Sequence, residues 1–159
     1  MLDEFIKFKP FSASLTWNYE NQFAGGTLSF SGLSFKGKEI IKILNENNII
    51  LDVAHLNRKS FWDAVKFCKK PILNSHTCFN IKEHRRNVDI EQIKAIIDTN
   101  GFIGITFVAD FLTSNKKISA NYVYQNIDSI VQLFGINNVG IGSDFFGTNN
   151  LPYNLKNYN

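Results

Sequence analysis

Short apolar runs alternate with amphipathic segments along the whole chain, and this alternation restricts its fold more than any other feature. Five runs have the length and composition of buried strands: SASLTWN (12–18), IILDVAH (49–55), PILNSH (71–76), GFIGITFV (101–108) and NVGIGSDF (138–145). Parallel strands need long crossover connections, which are usually helices. The alternation therefore predicts an α/β fold with a parallel sheet.

The intervening segments carry apolar residues at helical spacing and recognisable helix ends. The predicted helices cover 37–47, 57–70, 89–100 and 121–135. Asn57 is expected to cap the second helix, in which Cys68 takes a core position, and Asp89 with Gln92 to form a capping box on the third. Gly135 is expected to end the fourth.

Composition indicates one soluble domain over residues 1–159, because 44% hydrophobic and 19% charged residues suffice for a single core. The net charge of +3 is spread among 17 basic and 14 acidic residues, so no nucleic-acid partner is expected. Cys68 and Cys78 fit neither a disulfide framework nor a CxxC metal site. With no signal peptide and no membrane-length run, we expect a cytoplasmic protein that does not bind membranes.

A barrel is favoured over an open doubly wound sheet. No GxGxxG or phosphate-loop motif follows any predicted strand. Polar residues instead follow several strands, where a (β/α) barrel places its chemistry: Asn18, His55, His76 and Asp144. A complete barrel needs eight units and about 250 residues. The sequence therefore predicts a partial TIM barrel of about five strand–helix units.

His55, His76 and Asp144 make a chemically useful set. Two imidazoles suit zinc, and a nearby carboxylate can shuttle a proton in metal-assisted hydrolysis. The alternative is that both histidines are satisfied strand-end residues and that Asp144 belongs to a turn. Their equivalent positions on successive strands favour a site. If His55 faces the barrel mouth, strand alternation places the Asp52 side chain on the opposite face of the strand, where a structural role is expected. His84 lies in the polar segment IKEHRRN and is expected to be solvated.

Six segments resemble the membrane dipeptidase (renal dipeptidase) family. They are LTWNYEN (15–21), FKGKEII (35–41), LDVAHLN (51–57), NSHTCFNIKEHRRN (74–87), DIEQIKAIIDTNGFIGITF (89–107) and VGIGSDFFG (139–147). The resemblance implies a (β/α)8 metallohydrolase fold, in which two bridged zinc ions serve the cleavage of dipeptides, often with a D-residue at the C-terminal position.

The same resemblance implies roles for individual residues. His55 and His76 match metal ligands, and Asp144 matches the catalytic aspartate of the GxDFDG stretch. Arg86, in the HxRN pattern, matches the arginine that binds the substrate carboxylate, a task suited to a bidentate guanidinium. Without the resemblance, Arg86 would be interpreted as part of a solvated basic cluster.

The sequence also departs from the family pattern. The family's HxD motif and bridging glutamate would precede Met1, so we expect two of five metal-ligating residues and one zinc ion or none. The five strands would then correspond to the fourth to eighth of the barrel. Phe146 replaces the second acid of GxDFDG, and the loop after His76 is one residue shorter than usual.

These departures leave more than one function open. The leading interpretation is a zinc-dependent dipeptidase acting on a dipeptide substrate. The alternative is a catalytically inactive fragment or binding module, and a nucleic-acid partner is a third, weaker interpretation. Because the outer strands would lack neighbours, we expect a homo-oligomer or a complementary N-terminal fragment as partner.

Overall fold

The computed structural model describes residues 2–79, 84–115, 117–155 and 157. Its elements in chain order are helix α1 (Leu2–Lys7), strand β1 (Ser12–Ser14), α2 (Phe35–Glu46), β2 (Ile50–Asp52), α3 (Arg58–Phe67), β3 (Ile72–Thr77), α4 (Ile90–Asp98), β4 (Phe102–Ile105), α5 (Ala109–Leu112), α6 (Asn121–Phe134) and β5 (Val139–Ile141). All five predicted strands and all four predicted helices are present.

The five strands form one sheet in the order β1-β2-β3-β4-β5. The pairing is parallel, with Ala13 opposite Leu51 and Gly104 opposite Gly140. The spatial order follows the chain order without the reversal that marks a doubly wound sheet. This arrangement confirms the predicted α/β fold with consecutive barrel-type strand–helix units.

The chain divides into two compact units, Met1–Leu73 and Asn74–Asn159, and the boundary falls within β3. In the first unit, α2 packs on β2 and on α3. Its core includes Ile41, Leu44, Leu51, Phe61 and Ile72. In the second unit, α4 packs on β4, and α6 packs on β4, β5 and α5. Its core includes Ile93, Ile96, Ile103, Ile105 and Ile130. The single domain predicted from composition stays a prediction.

The helix ends follow the sequence signals. The side chain of Asn57 accepts the Ser60 N–H at the start of α3. Asp89 and Gln92 form the expected capping box of α4, in which each side chain accepts from the other residue's main chain. Gly135 follows α6 with φ of 82°, a conformation that favours glycine.

Three local expectations are corrected. The strands are shorter than the apolar runs, and beyond β2 and β4 the buried residues Val53, Ala54, Phe107 and Val108 do not belong to a strand. Cys68 is half-buried at the C-cap of α3 and is not a core residue of that helix. The short helices α1 and α5 were not predicted, since helices of 6 and 4 residues are too short to show a periodic pattern.

Within the described ranges, no helix combines the length and the hydrophobicity needed to span a membrane.

Candidate functional site

His55 lies in a turn three residues beyond β2, with a left-handed backbone (φ 69°). The expectation that it ends a strand is therefore wrong, and strand alternation cannot relate it to Asp52. Two contacts fix its position. The Thr27 N–H donates to the main-chain oxygen of His55 at 3.0 Å, and Nδ1 of His55 lies 2.9 Å from Oδ1 of Asn18.

The contact with Asn18 decides which nitrogen of His55 carries the proton. Because Oδ1 is an acceptor, Nδ1 donates, and the lone pair is placed on Nε2. The hydroxyl of Thr27 also lies 3.2 Å from the same Oδ1, and the ring of Trp17 lies 5.8 Å from the imidazole. Metal-binding histidines are commonly oriented in this way by an acceptor on their other nitrogen.

Asn18→Ala is therefore expected to move His55 toward the Nε2–H tautomer, because the acceptor that holds the Nδ1 proton is lost. Long-range ¹H–¹⁵N correlation spectra of the histidines measure the change. Thr27→Val is the matched control, since it removes a neighbouring donor to Asn18 and leaves the acceptor of His55 in place. An unchanged tautomer in Asn18→Ala would contradict the assignment.

Asp52 is buried at the end of β2, and its Oδ1 accepts the Ala54 N–H at 3.0 Å. This bond stabilises the turn that leads to His55. The contact agrees with the structural role predicted for Asp52, although the alternation argument behind that prediction does not apply.

His76 lies inside β3, next to the last residue of the strand. Its Nδ1 is 2.8 Å from the hydroxyl of Ser75, and its main-chain oxygen accepts a hydrogen bond from Nη2 of Arg86 at 3.2 Å. The structure thus brings together two predicted site residues of the second unit, His76 and Arg86.

Arg86 is buried, with 8% of its surface exposed, so the interpretation as a solvated cluster does not hold for this residue. Its main-chain oxygen accepts the Thr77 hydroxyl at 2.8 Å. The guanidinium carbon lies 5.6 Å from the centroid of the Phe111 ring, within cation–π range. Main-chain and side-chain contacts therefore both fix this arginine.

His84 is half-buried, and its predicted solvation is wrong. Its ring lies 4.4 Å from that of Phe111, at an interplanar angle of 30°. Its Nδ1 accepts the main-chain N–H of Arg86 at 3.2 Å. The contact with Phe111 determines the environment of His84. The charged residues next to His84 in the sequence gave no indication of this contact.

Asp144 occupies a turn after β5, with a left-handed backbone (φ 57°). The Gly147 N–H donates to its main-chain oxygen at 3.0 Å, and a Cβ at position 147 would overlap the Asp144 carboxylate. Gly147 thus leaves space for the carboxylate over the turn. Phe146, at the position of the family's second acid, is 95% exposed.

Cysteine chemistry is disfavoured. Burial raises the pKa of the Cys78 thiol to about 12, because desolvation outweighs the hydrogen bond with Thr106 and the charge of Arg86. Burial also raises the pKa of Cys68. Both thiols are therefore protonated at neutral pH, whereas a nucleophilic or metal-binding cysteine needs the thiolate.

The residues fit a metal site only in part. A catalytic zinc ion usually has three protein ligands. Within the part of the chain that the structure describes, no three His, Cys, Asp or Glu side chains group closely enough to hold a metal ion. The contact with Asn18 favours the tautomer of His55 that a ligand needs, but the described residues do not form a complete zinc site.

Two supporting residues were not predicted from the sequence. Phe111 contacts both His84 and Arg86, but it lies on the short helix α5, far from them in sequence. Asn126 of α6 is fully buried and bonds both main-chain groups of Phe79, accepting from the N–H at 2.8 Å and donating to the oxygen at 3.3 Å. A polar residue on the apolar side of α6 was the available signal for Asn126.

Comparison with known proteins gives consistent matches. A model of the family described as membrane dipeptidase (peptidase family M19) matches residues 10–159. A Klebsiella pneumoniae protein, described as an uncharacterized protein in the pqqA 5' region, is 30% identical over 144 residues. That match covers 82% of this chain and 53% of the other protein.

Two crystal structures share the fold. One is a metallo peptidase from Rhodobacter sphaeroides liganded with a phosphinate mimic of the dipeptide L-Ala-D-Ala, at 25% identity and a TM-score of 0.89. The match covers 96% of this chain and 47% of that protein. The other is a dipeptidase AC, described as a metallo peptidase of family M19, with 24% identity and a TM-score of 0.91 over 98% of this chain and 48% of that protein. The chain spans about half the length of the relatives it matches.

Proposed function

Because this chain belongs to the membrane dipeptidase family, we propose that it is part of a zinc-dependent dipeptidase. The observation that carries the proposal is the match to the family over residues 10–159, which includes every candidate site residue. We assign His55 and His76 as metal ligands, Asp144 as the catalytic acid–base residue and Arg86 as the group that binds the substrate carboxylate.

A local contact supports the assignment of His55, because Asn18 places its lone pair on Nε2. The Ser75 hydroxyl lies within hydrogen-bond distance of Nδ1 of His76, a contact that fits either tautomer. A zinc ion, when bound, would polarise the peptide carbonyl and acidify the attacking water. Because the described residues group fewer than three ligands, a complete site needs ligands from outside them. A second copy or a complementary polypeptide is the partner we propose for that purpose.

The buried arginine supports the proposed substrate class. A buried, ordered guanidinium is suited to a carboxylate, which it can bind through two parallel hydrogen bonds. A dipeptide presents its terminal carboxylate close to the scissile bond. Arg86 would therefore fix the substrate end, and Asp144 would transfer a proton to the departing amine.

A binding module without catalysis is the second candidate. The observation that favours it is the incomplete ligand group among the described residues. Such a module would bind zinc or a dipeptide without turnover.

The two candidates can be separated by assaying the purified chain, alone and after addition of a complementary N-terminal fragment, with excess zinc against a panel of L,L and L,D dipeptides, including L-Ala-D-Ala. The proposal expects amino-acid release that is lost in His55→Ala, together with bound zinc that decreases in His55→Ala and in His76→Ala. Zinc binding without hydrolysis would support the binding module. Neither zinc binding nor hydrolysis, or hydrolysis that survives both substitutions, would contradict the metal assignment.

A further inference from the structure

Three residues of the segment HRRN contact the same phenylalanine. The ring of His84 stacks on the ring of Phe111 at 4.4 Å, and the guanidinium of Arg86 lies 5.6 Å from the same ring. The side-chain amide of Asn87 donates to the main-chain oxygen of Phe111 at 2.9 Å. The segment is therefore docked on one residue of α5, through contacts with both its ring and its main chain.

The position of Phe111 is itself fixed. Its N–H donates to the oxygen of Val108 at 3.1 Å, and the N–H of Ala109, at the start of α5, donates to the main-chain oxygen of Asn150 at 2.9 Å. The short helix α5 is thus attached to the chain beyond β5, and it presents an aromatic ring at a defined place. Such a ring can order a guanidinium through cation–π attraction.

His84 contributes to the same arrangement in two ways. It packs against Phe111, and its Nδ1 accepts the Arg86 N–H at 3.2 Å. His84 and Arg86 are joined by this hydrogen bond and both contact Phe111. A displacement of Phe111 would therefore disturb both the backbone and the side chain of Arg86.

We propose that Phe111 is a positioning residue for Arg86 and thereby sets the affinity for the substrate carboxylate. The inference rests on the proposed function, since it takes Arg86 to be the carboxylate-binding group. A guanidinium that is ordered before binding loses less conformational entropy when the carboxylate arrives. Arg86 is also bonded to the main-chain oxygen of His76, so the same support holds the arginine beside a proposed metal ligand.

The test compares Phe111→Leu with Phe111→Tyr, which keeps the ring. Phe107→Leu is the control, because Phe107 pairs with Phe145 and lies outside the cluster of His84, Arg86 and Phe111. One measurement is the hydrogen-exchange rate of Nε–Hε of Arg86 in the ligand-free protein. The other is the affinity for glycyl-D-alanine and for its C-terminal amide, measured by NMR titration.

In Phe111→Leu we expect faster Nε–Hε exchange and roughly tenfold weaker binding of the acid, with binding of the amide unchanged. Phe111→Tyr should restore both values, and Phe107→Leu should leave them at the wild-type level. Unchanged exchange in Phe111→Leu would overturn the inference. The wild type could instead bind the acid and the amide equally while Nε–Hε exchange is still faster in Phe111→Leu. That result would keep the positioning role of Phe111 and refute the carboxylate-binding role of Arg86, and with it the proposed function.

Discussion

Asp144→Asn is expected to lower kcat/KM for dipeptide hydrolysis by at least about a hundredfold, because an amide cannot accept and return the proton that a carboxylate transfers. The fold should be retained. Asparagine has nearly the same size as aspartate and is one of the residues that tolerate the left-handed conformation found at this position (φ 57°). Zinc content should also be retained, since Asp144 is not assigned as a ligand.

Steady-state hydrolysis of L-Ala-D-Ala, a thermal melt and the zinc content of the purified variant check the three parts of this expectation. Asp98→Asn is the control, because Asp98 is an exposed carboxylate whose ion pair with Lys94 lies on the surface of α4. Replacing the Asp98 carboxylate with an amide should leave the rate of hydrolysis unchanged. Wild-type activity in Asp144→Asn would exclude Asp144 as the acid–base residue.

The fold was largely predictable because its signals are local. Asp89 followed by Gln92 specifies a helix start through hydrogen bonds within four residues, and the structure has that capping box. The strand ends were less predictable. Val53 and Ala54 are buried, so they continue the apolar pattern of β2, yet the pairing of β2 with β1 ends at Asp52. An apolar pattern reports burial, and burial extends beyond the paired residues of the strand.

The site was predictable in part. His55, His76 and Asp144 were chosen from their positions near predicted strand ends, and Arg86 from the family resemblance. The structure joins His76 and Arg86 by a hydrogen bond, and the roles of all four residues stay predictions. The environment of His84 was not recognised, because it depends on Phe111, which is distant in sequence and lies on a helix of 4 residues. The turn at His55 was also missed, since histidine in the left-handed region has no strong sequence signal.

Gly142→Ala is expected to destabilise the second unit by on the order of 3 kcal/mol. A Cβ at this position would overlap the main-chain oxygen of Ser75 and come within 3.0 Å of the main chain of Gly104. Both contacts are with backbone atoms, so no side-chain rotation can relieve them. Because Ser75 immediately precedes His76, relief requires a shift of the strand that carries a proposed metal ligand.

A thermal melt followed by circular dichroism measures this effect, and a chain of this size should show a decrease of roughly 6–12 °C in Tm. Gly140→Ala is the matched control, since it makes the same chemical change two residues earlier. There the added Cβ would lie 2.7 Å from the ring of Phe102, a side chain with 40% exposure that can rotate away. The control should lose less than about 1 kcal/mol. Equal losses in the two variants would show that glycine-to-alanine substitution in this region acts through a common backbone effect and not through overlap with Ser75.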